Sequence, residues 1–183
     1  PRSYRPAPAA ELPDMECAAD RIERALRSGE RIGVWGDFDV DGQTSTAVLV
    51  ETLRRLGADP VFHIPVRATE SHGVGLKALR GFIETGITLM LTCDTGVDAT
   101  ESVLYASRRG VDVIITDHHD LPEELPPALA VINPKRISGA HPLRALPGVG
   151  VAFQLSRELF GRAGRIVESR KLLDLVALGV VAD

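Results

Sequence analysis

Apolar positions Met15, Ala18, Ile22, Ala25 and Leu26 recur at helical spacing and stop at Gly29, which predicts an amphipathic first helix. From there one theme repeats: a short β-rich run, a polar turn, then a helical pattern. The β runs are Arg31–Trp35, Val61–Val66, Thr88–Cys93, Val111–Thr116 and Ala130–Ile132. Between the first two, Leu49, Val50, Leu53 and Leu56 make one helical face, with Glu51, Arg54 and Arg55 opposite and Gly57 at the stop. Further helices are predicted over roughly 75–85 and 99–109, the latter with Asp98 and Glu101 at capping-box spacing and Gly110 beyond its end. Six prolines between Pro122 and Pro147 mark an irregular connector, followed by a helix near 150–160 that Gly161 should end. Leu172–Val181 is apolar nearly all round and reads as a buried helix.

Strands alternating with helices predict an α/β domain with a mostly parallel sheet of about five strands flanked by helices. Leu89-Met90-Leu91 and Val113-Ile114-Ile115 are apolar without alternation, as strands covered on both faces should be. Residues 1–13 hold four prolines and read as an N-terminal arm or linker, which leaves 14–183 as the folded domain.

The 183 residues, 44% of them hydrophobic, suffice for one domain with a sizeable core and exclude a fibrous or wholly disordered chain. No apolar run approaches the ~18–20 residues of a membrane helix, and Pro1-Arg2-Ser3-Tyr4 lacks a secretory apolar core. Cys17 and Cys93, far apart, fit reduced thiols in a cytoplasmic protein. The net charge of −4 announces no nucleic-acid binder, but its distribution is uneven. Residues 135–171 carry eight Lys/Arg, Arg144 among them, against two Glu, a local +6 that leaves −10 elsewhere. An acidic body with a basic stretch can hold metals at one place and phosphates at another.

Three predicted strands end in acid or imidazole: Gly36-Asp37-Phe38-Asp39-Val40-Asp41-Gly42, Thr92-Cys93-Asp94-Thr95-Gly96 and Thr116-Asp117-His118-His119. In an open parallel sheet all three would emerge on one edge, where ligands bind. One acidic strand end is most often a helix cap, but three, one with a His-His pair, go beyond capping. Crowded carboxylates raise one another's pKa unless a cation neutralises them. Asp39, Asp41, Asp94 and an imidazole form an oxygen-rich set suited to Mn²⁺ or Mg²⁺. Two such ions can activate a water and stabilise both oxygens of an in-line displacement at phosphorus. Calcium is rejected, because an EF-hand opening at Asp37 needs a Glu where Val48 stands, and a helix before it. A haloacid-dehalogenase-type phosphatase could use Asp39 and Asp41 but assigns no work to the His pair.

Together these motifs resemble the DHH phosphoesterase superfamily, and within it the RecJ single-strand-specific exonucleases. Asp37–Gly42 resembles the first motif, Asp94-Thr95-Gly96 the second and Asp117-His118-His119 the third. The likeness extends to Asn133-Pro134, Leu146–Phe153 and Asp174–Asp183, and covers roughly residues 31–183. It implies metal ligands Asp39, Asp41, Asp94, His118 and Asp183, with Asp94 bridging two ions of Mn²⁺ or Mg²⁺. It implies a catalytic contact of His119 with the scissile phosphate or the leaving oxygen, and Asp37 and Asp117 orienting the ligands. Arg67, His72 and Arg144 are candidate phosphate contacts.

The sequence departs from the family pattern in places. Glu70-Ser71-His72-Gly73 stands where Glu-Gly-Tyr-Gly is usual, Gln154 where Lys is commoner, and Cys93 precedes Asp94 rather than following it. RecJ-like enzymes carry further domains with no counterpart here. The chain has no initiator Met and stops on an expected ligand, so a fragment of a larger protein is expected, inactive alone if it needs those domains. The expected activity is exonucleolytic removal of 5′-mononucleotides from single-stranded DNA, 5′→3′, in recombination and repair, beside partners such as a single-strand-binding protein or a helicase. Alternatives are a DHH enzyme acting on oligoribonucleotides, cyclic dinucleotides or pyrophosphate, and a non-catalytic nucleic-acid-binding scaffold. With aromatics at 4%, strand grip should rest on phosphate contacts and weaken with salt.

Overall fold

The computed structural model describes residues 8–70 and 73–183. In chain order it contains α1 (Met15–Ser28), β1 (Ile32–Trp35), α2 (Val40–Arg55), β2 (Val61–His63), α3 (Leu76–Glu84), β3 (Leu89–Cys93), α4 (Thr100–Ser107), β4 (Asp112–Thr116), β5 (Ala130–Ile132), α5 (Gly148–Arg162) and α6 (Leu173–Ala182). The five strands form one sheet of order β2-β1-β3-β4-β5, every pair parallel. The order reverses between β1 and β3. A crevice opens at such a switch point at the carboxyl ends of the strands, and two of the three acidic clusters flank it.

Successive strand residues serve opposite faces. Val34, Leu89, Leu91, Cys93, Ile114 and Ile132 pack under α1, α2 and α5, whereas Trp35, Met90, Val113, Ile115 and Val131 pack against α3 and α4. Burial on both faces explains the unbroken apolar runs, and each fully buried large side chain contributes about 1.5–3 kcal/mol.

Several elements differ from the sequence reading. Leu12 is buried in the core and Ala9–Glu11 form a 3-10 turn, so the stretch after residue 8 belongs to the domain rather than to an arm; the rest of the expected arm, residues 1–7, lies outside the described residues. β2 stops at His63, because Pro65 follows at the sheet edge. Helix α4 starts from Ala99 with no side-chain cap, so the Asp98–Glu101 capping box does not form. Helix α5 runs through Gly161 to Arg162, its interior packed too well for one glycine to break it. The largest departure is α6. Only Gly179 is buried, while Leu173, Leu178, Val180 and Val181 are exposed. Close approach explains what holds it: a Cβ on Gly179 would meet Thr44 Oγ1 at 2.5 Å and Val149 Cγ1 at 2.7 Å, so α6 docks on α2 and α5 through this glycine. Among the described residues, no helix is long and apolar enough to cross a membrane.

Candidate active site

Parallel pairing places the ends of β1, β3 and β4 side by side, and the acidic clusters converge there. The loop after β1 supplies Asp37 and Asp39. Asp39 N-caps α2, its Oδ1 accepting from Gly42 N at 2.9 Å. Asp41, two residues on, is buried, and its two oxygens accept from Gly148 N and Val149 N, both at 2.7 Å. The N-terminus of α5 thus clamps Asp41, as an unsatisfied helix start clamps an anion.

Asp94 ends β3 with φ +61°, a left-handed conformation that costs an aspartate roughly 1 kcal/mol. The strain aims its buried side chain at the switch point. Gly148 packs against that carboxylate so closely that a Cβ there would lie 2.4 Å from Asp94 Oδ1. His118 Nε2 stands 3.1 Å from the same oxygen, and 3.7 Å from both Asp41 Oδ2 and Asp183 Oδ1. Asp183 is held at the end of α6 by its N–H, which donates to Gly179 O at 3.0 Å.

Asp117 organises the loop after β4. Its Oδ1 accepts from His118 N, His119 N and His119 Nδ1, and its Oδ2 from Val97 N at 2.9 Å. Asn133 secures the same loop from β5, donating from Nδ2 to His119 O at 3.0 Å. With Nδ1 bonded to Asp117, Nε2 of the half-exposed His119 is left for another partner. An open cleft lined by Asp37, Asp39, Thr95, Asp117, His119 and Asp120 results.

The electrostatics show what the cluster lacks. Asp94 is pushed up to about 7, chiefly by burial, with the charges of Asp41 and Asp39 adding to it and His118 opposing. Burial also raises Asp41 against the pull of the Val149 and Gly148 N–H groups. Asp94 raises His118 against the effect of its burial. His119 is raised to about 9, first by its bond to Asp117. Burial would raise Asp117, but His119 and the backbone N–H donors outweigh it and hold it low. Asp94 Oδ1 is the one buried side-chain polar atom among the described residues with no hydrogen-bond partner of normal geometry. A buried carboxylate oxygen left so is costly unless something else neutralises it.

A divalent cation fits this place. Ligand atoms of Asp94, His118 and His119 lie within 4.8 Å of one another, as do those of Asp41, His118 and Asp183. Oxygen donors with one or two imidazoles suit Mn²⁺ or Mg²⁺. Asp39 lines the cleft but belongs to neither triad. Of the other expected site residues, Asp37 and Asp117 stand at the cleft wall. Arg67 lies over the Phe38 ring, 4.9 Å from its centroid, in a neighbouring groove. Arg144 Nη1 is shared by the carbonyls of Lys135 and Ile137, so that part of the side chain holds the turn after β5. His72 lies outside the described residues. Sequence reasoning missed the pair of backbone donors on Asp41. A glycine opening a helix in Pro147-Gly148-Val149-Gly150 was the signal available.

The model of the DHH family, N-terminal domain, matches residues 31–180. The single-stranded-DNA-specific exonuclease RecJ of Bacillus subtilis is 43% identical over 173 residues, which are 94% of this chain and 21% of that protein. A crystal structure of exonuclease RecJ bound to manganese superposes with a TM-score of 0.86 at 38% identity, covering 97% of this chain and 45% of that one. RecJ from Thermus thermophilus in complex with Mn²⁺ gives 0.81 at 36% identity, covering 97% and 25%. The chain spans about a fifth to a third of the length of the curated relatives it matches.

Proposed function

The chain belongs to the DHH family, and on that footing we propose that it carries the catalytic centre of a metal-dependent exonuclease that degrades single-stranded DNA. The observation that carries this reading is the convergence of Asp41, Asp94, His118 and Asp183 around one buried carboxylate oxygen, Asp94 Oδ1, whose nearest polar neighbour is His118 Nε2 at 3.1 Å. The names of its relatives and the manganese in their structures support the same reading.

Two ions of Mn²⁺ or Mg²⁺ would be held by Asp39, Asp41, Asp94, His118 and Asp183, with Asp94 shared. When bound, they supply charge neutralisation at phosphorus and activation of water. The chain's own residues do the rest. The α5 N-terminus and Gly148 fix Asp41 and Asp94. Asp117 holds His119 at Nδ1, so that its Nε2 contacts the scissile phosphate or hands a proton to the leaving oxygen. Asp37 orients the loop after β1 through Phe38 N. Arg67, His72 and Arg144 are proposed phosphate contacts.

The polarity is 5′→3′ with release of 5′-mononucleotides, and the setting is recombination and repair in the cytoplasm, beside a single-strand-binding protein or a helicase. The test is a digestion by the intact protein that contains this chain, supplied with Mn²⁺ and end-labelled single strands. Stepwise loss of mononucleotides, abolished by chelation and by Asp94→Asn, is expected. Cleavage confined to cyclic dinucleotides or short RNA would replace the substrate assignment, and cleavage untouched by chelation would overturn the metal assignment.

A further inference from the structure

The acidic cleft does not end at its acids. Phe38 and Asp39 form a wall shared with a second groove, which continues over Val40, Gln43, Ile64 and Val66. Gln43 and Ile64 are shared in turn with a third groove, which runs past Phe62, Arg54 and Lys171 between β2 and α6. One continuous track therefore leads from the catalytic edge along the outer side of α2 to the edge strand.

Its lining is unusual for a solvated surface. Phe62 is 54% exposed, Val66 55% and Val40 40%. In a chain with five phenylalanines, two of them stand on this track. Arg54 and Arg67 make no ion pair among the described residues, and Arg67 stacks on Phe38. Of the acids on the same walls, Glu51 pairs with Arg55 at 2.7 Å, Asp39 caps α2, and Asp174 accepts from the N–H of Leu175 through one oxygen at 2.9 Å. An exposed aromatic ring, Phe62, in one groove with the unpaired Arg54, on a track that begins at the proposed phosphodiesterase centre, suits a base and a phosphate of an extended strand. Gln43, the one side-chain amide here that could read a base edge, spends its Nε2 on Phe38 O at 2.6 Å.

We propose that this track is the seat of the nucleotides flanking the scissile phosphate, with the exposed Phe62 ring as a stacking platform for any base and Arg54 as a phosphate contact. The inference rests on the proposed nuclease reading and names the path of its substrate.

The test is equilibrium binding of the intact protein to fluorescent oligo-dT and to an abasic oligonucleotide of equal length and charge, at several salt concentrations. Because Phe62 is exposed, Phe62→Ala should keep the wild-type melting temperature. It should weaken oligo-dT binding about tenfold, as loss of one stacked base does, and leave abasic binding unchanged. Arg54→Gln should weaken both ligands alike and reduce the salt slope by about 1. If the wild type binds and cuts single strands while Phe62→Ala matches it on both ligands, or loses both equally, the track assignment is wrong and the nuclease reading stands. If the wild type binds neither ligand, the nuclease reading itself fails.

Discussion

The two ends of the sheet handle buried charge in opposite ways. At the amino-terminal edge, Arg21 is 6% exposed yet fully partnered: its Nη2 meets Glu30 Oε2 at 2.7 Å and its Nε meets Asp112 Oδ2 at 2.6 Å. Thr88 completes the group by donating to Glu30 at 2.6 Å. Glu30 is accordingly held below the ordinary carboxylate range, first by its bond to Arg21. At the carboxyl-terminal edge of the same strands, Asp94 and Asp41 are pushed up by burial, and no Lys or Arg pairs with either among the described residues. The chain neutralises its structural charges with Arg at one edge and leaves the acidic edge, among the described residues, with only imidazoles facing its carboxylates. A divalent metal, as proposed above, would supply the positive charge that no Lys or Arg brings there.

The contrast can be broken from either side. The largest effect is expected from Asp94→Asn, which keeps the left-handed backbone conformation and removes the charge. Activity of the intact protein should fall by more than about a hundredfold, beyond what loss of an outer-shell partner costs. Metal-free melting temperature should hold, and should rise above pH 7, where the folded carboxylate would otherwise carry a buried charge. Arg21→Met should do the reverse. Stability should drop by about 2–3 kcal/mol, less than for a wholly buried pair because Asp112 is half exposed, and activity per folded molecule should stay near wild type. Denaturant titration beside an activity assay distinguishes the two behaviours.

Asp117→Asn comes next. It weakens the bonds that fix His119 and the His118 backbone while leaving every proposed ligand in place. A loss of about 10–100-fold in activity is expected, with a stability loss of about 1–3 kcal/mol, because the Asn NH₂ must face one of the buried N–H donors. The smallest effect is in the pH dependence of metal-free stability. Folded Asp94 keeps a proton up to about pH 7 that the unfolded chain releases near its ordinary 3.8, so stability should fall as pH rises between those values. His118, also raised, works in the same direction: its contribution is complete below its ordinary 6.5 and is lost as pH climbs through its folded value. Saturating Mn²⁺ should flatten or reverse this decline, since metal and protons compete for the same atoms. At a hundred times its dissociation constant a ligand adds about 2.7 kcal/mol, or roughly 5–10 °C in melting temperature. Melts at several pH values, with and without Mn²⁺, check both signs.

Much of this was legible in the sequence, for identifiable reasons. The apolar runs at Leu89–Leu91 and Val113–Ile115 announced strands covered on both faces, and parallel pairing then forced Asp39, Asp94 and His118 to one edge. Sequence is silent where a partner lies far along the chain. Asp41 and its donors Gly148 and Val149 are separated by more than a hundred residues. Asp39 proved to be both a helix cap and a cleft residue, two roles that local pattern treats as alternatives. Hydrophobicity alone also misled. Leu173–Ala182 is apolar enough to want cover, but composition does not say what provides it, and here only Gly179 is enclosed. Arg144, a proposed phosphate contact, also has a structural role that no charge count reveals, since its Nη1 donates to two backbone carbonyls.

The most direct measurement is anomalous diffraction from crystals of the intact protein soaked in Mn²⁺. The account predicts a peak bonded to Asp94 Oδ1 and flanked by His118 and Asp41, absent in the Asp94→Asn protein. Crystals that take up Mn²⁺ elsewhere while Asp94 stays bare, or an unchanged peak in the variant, would contradict it.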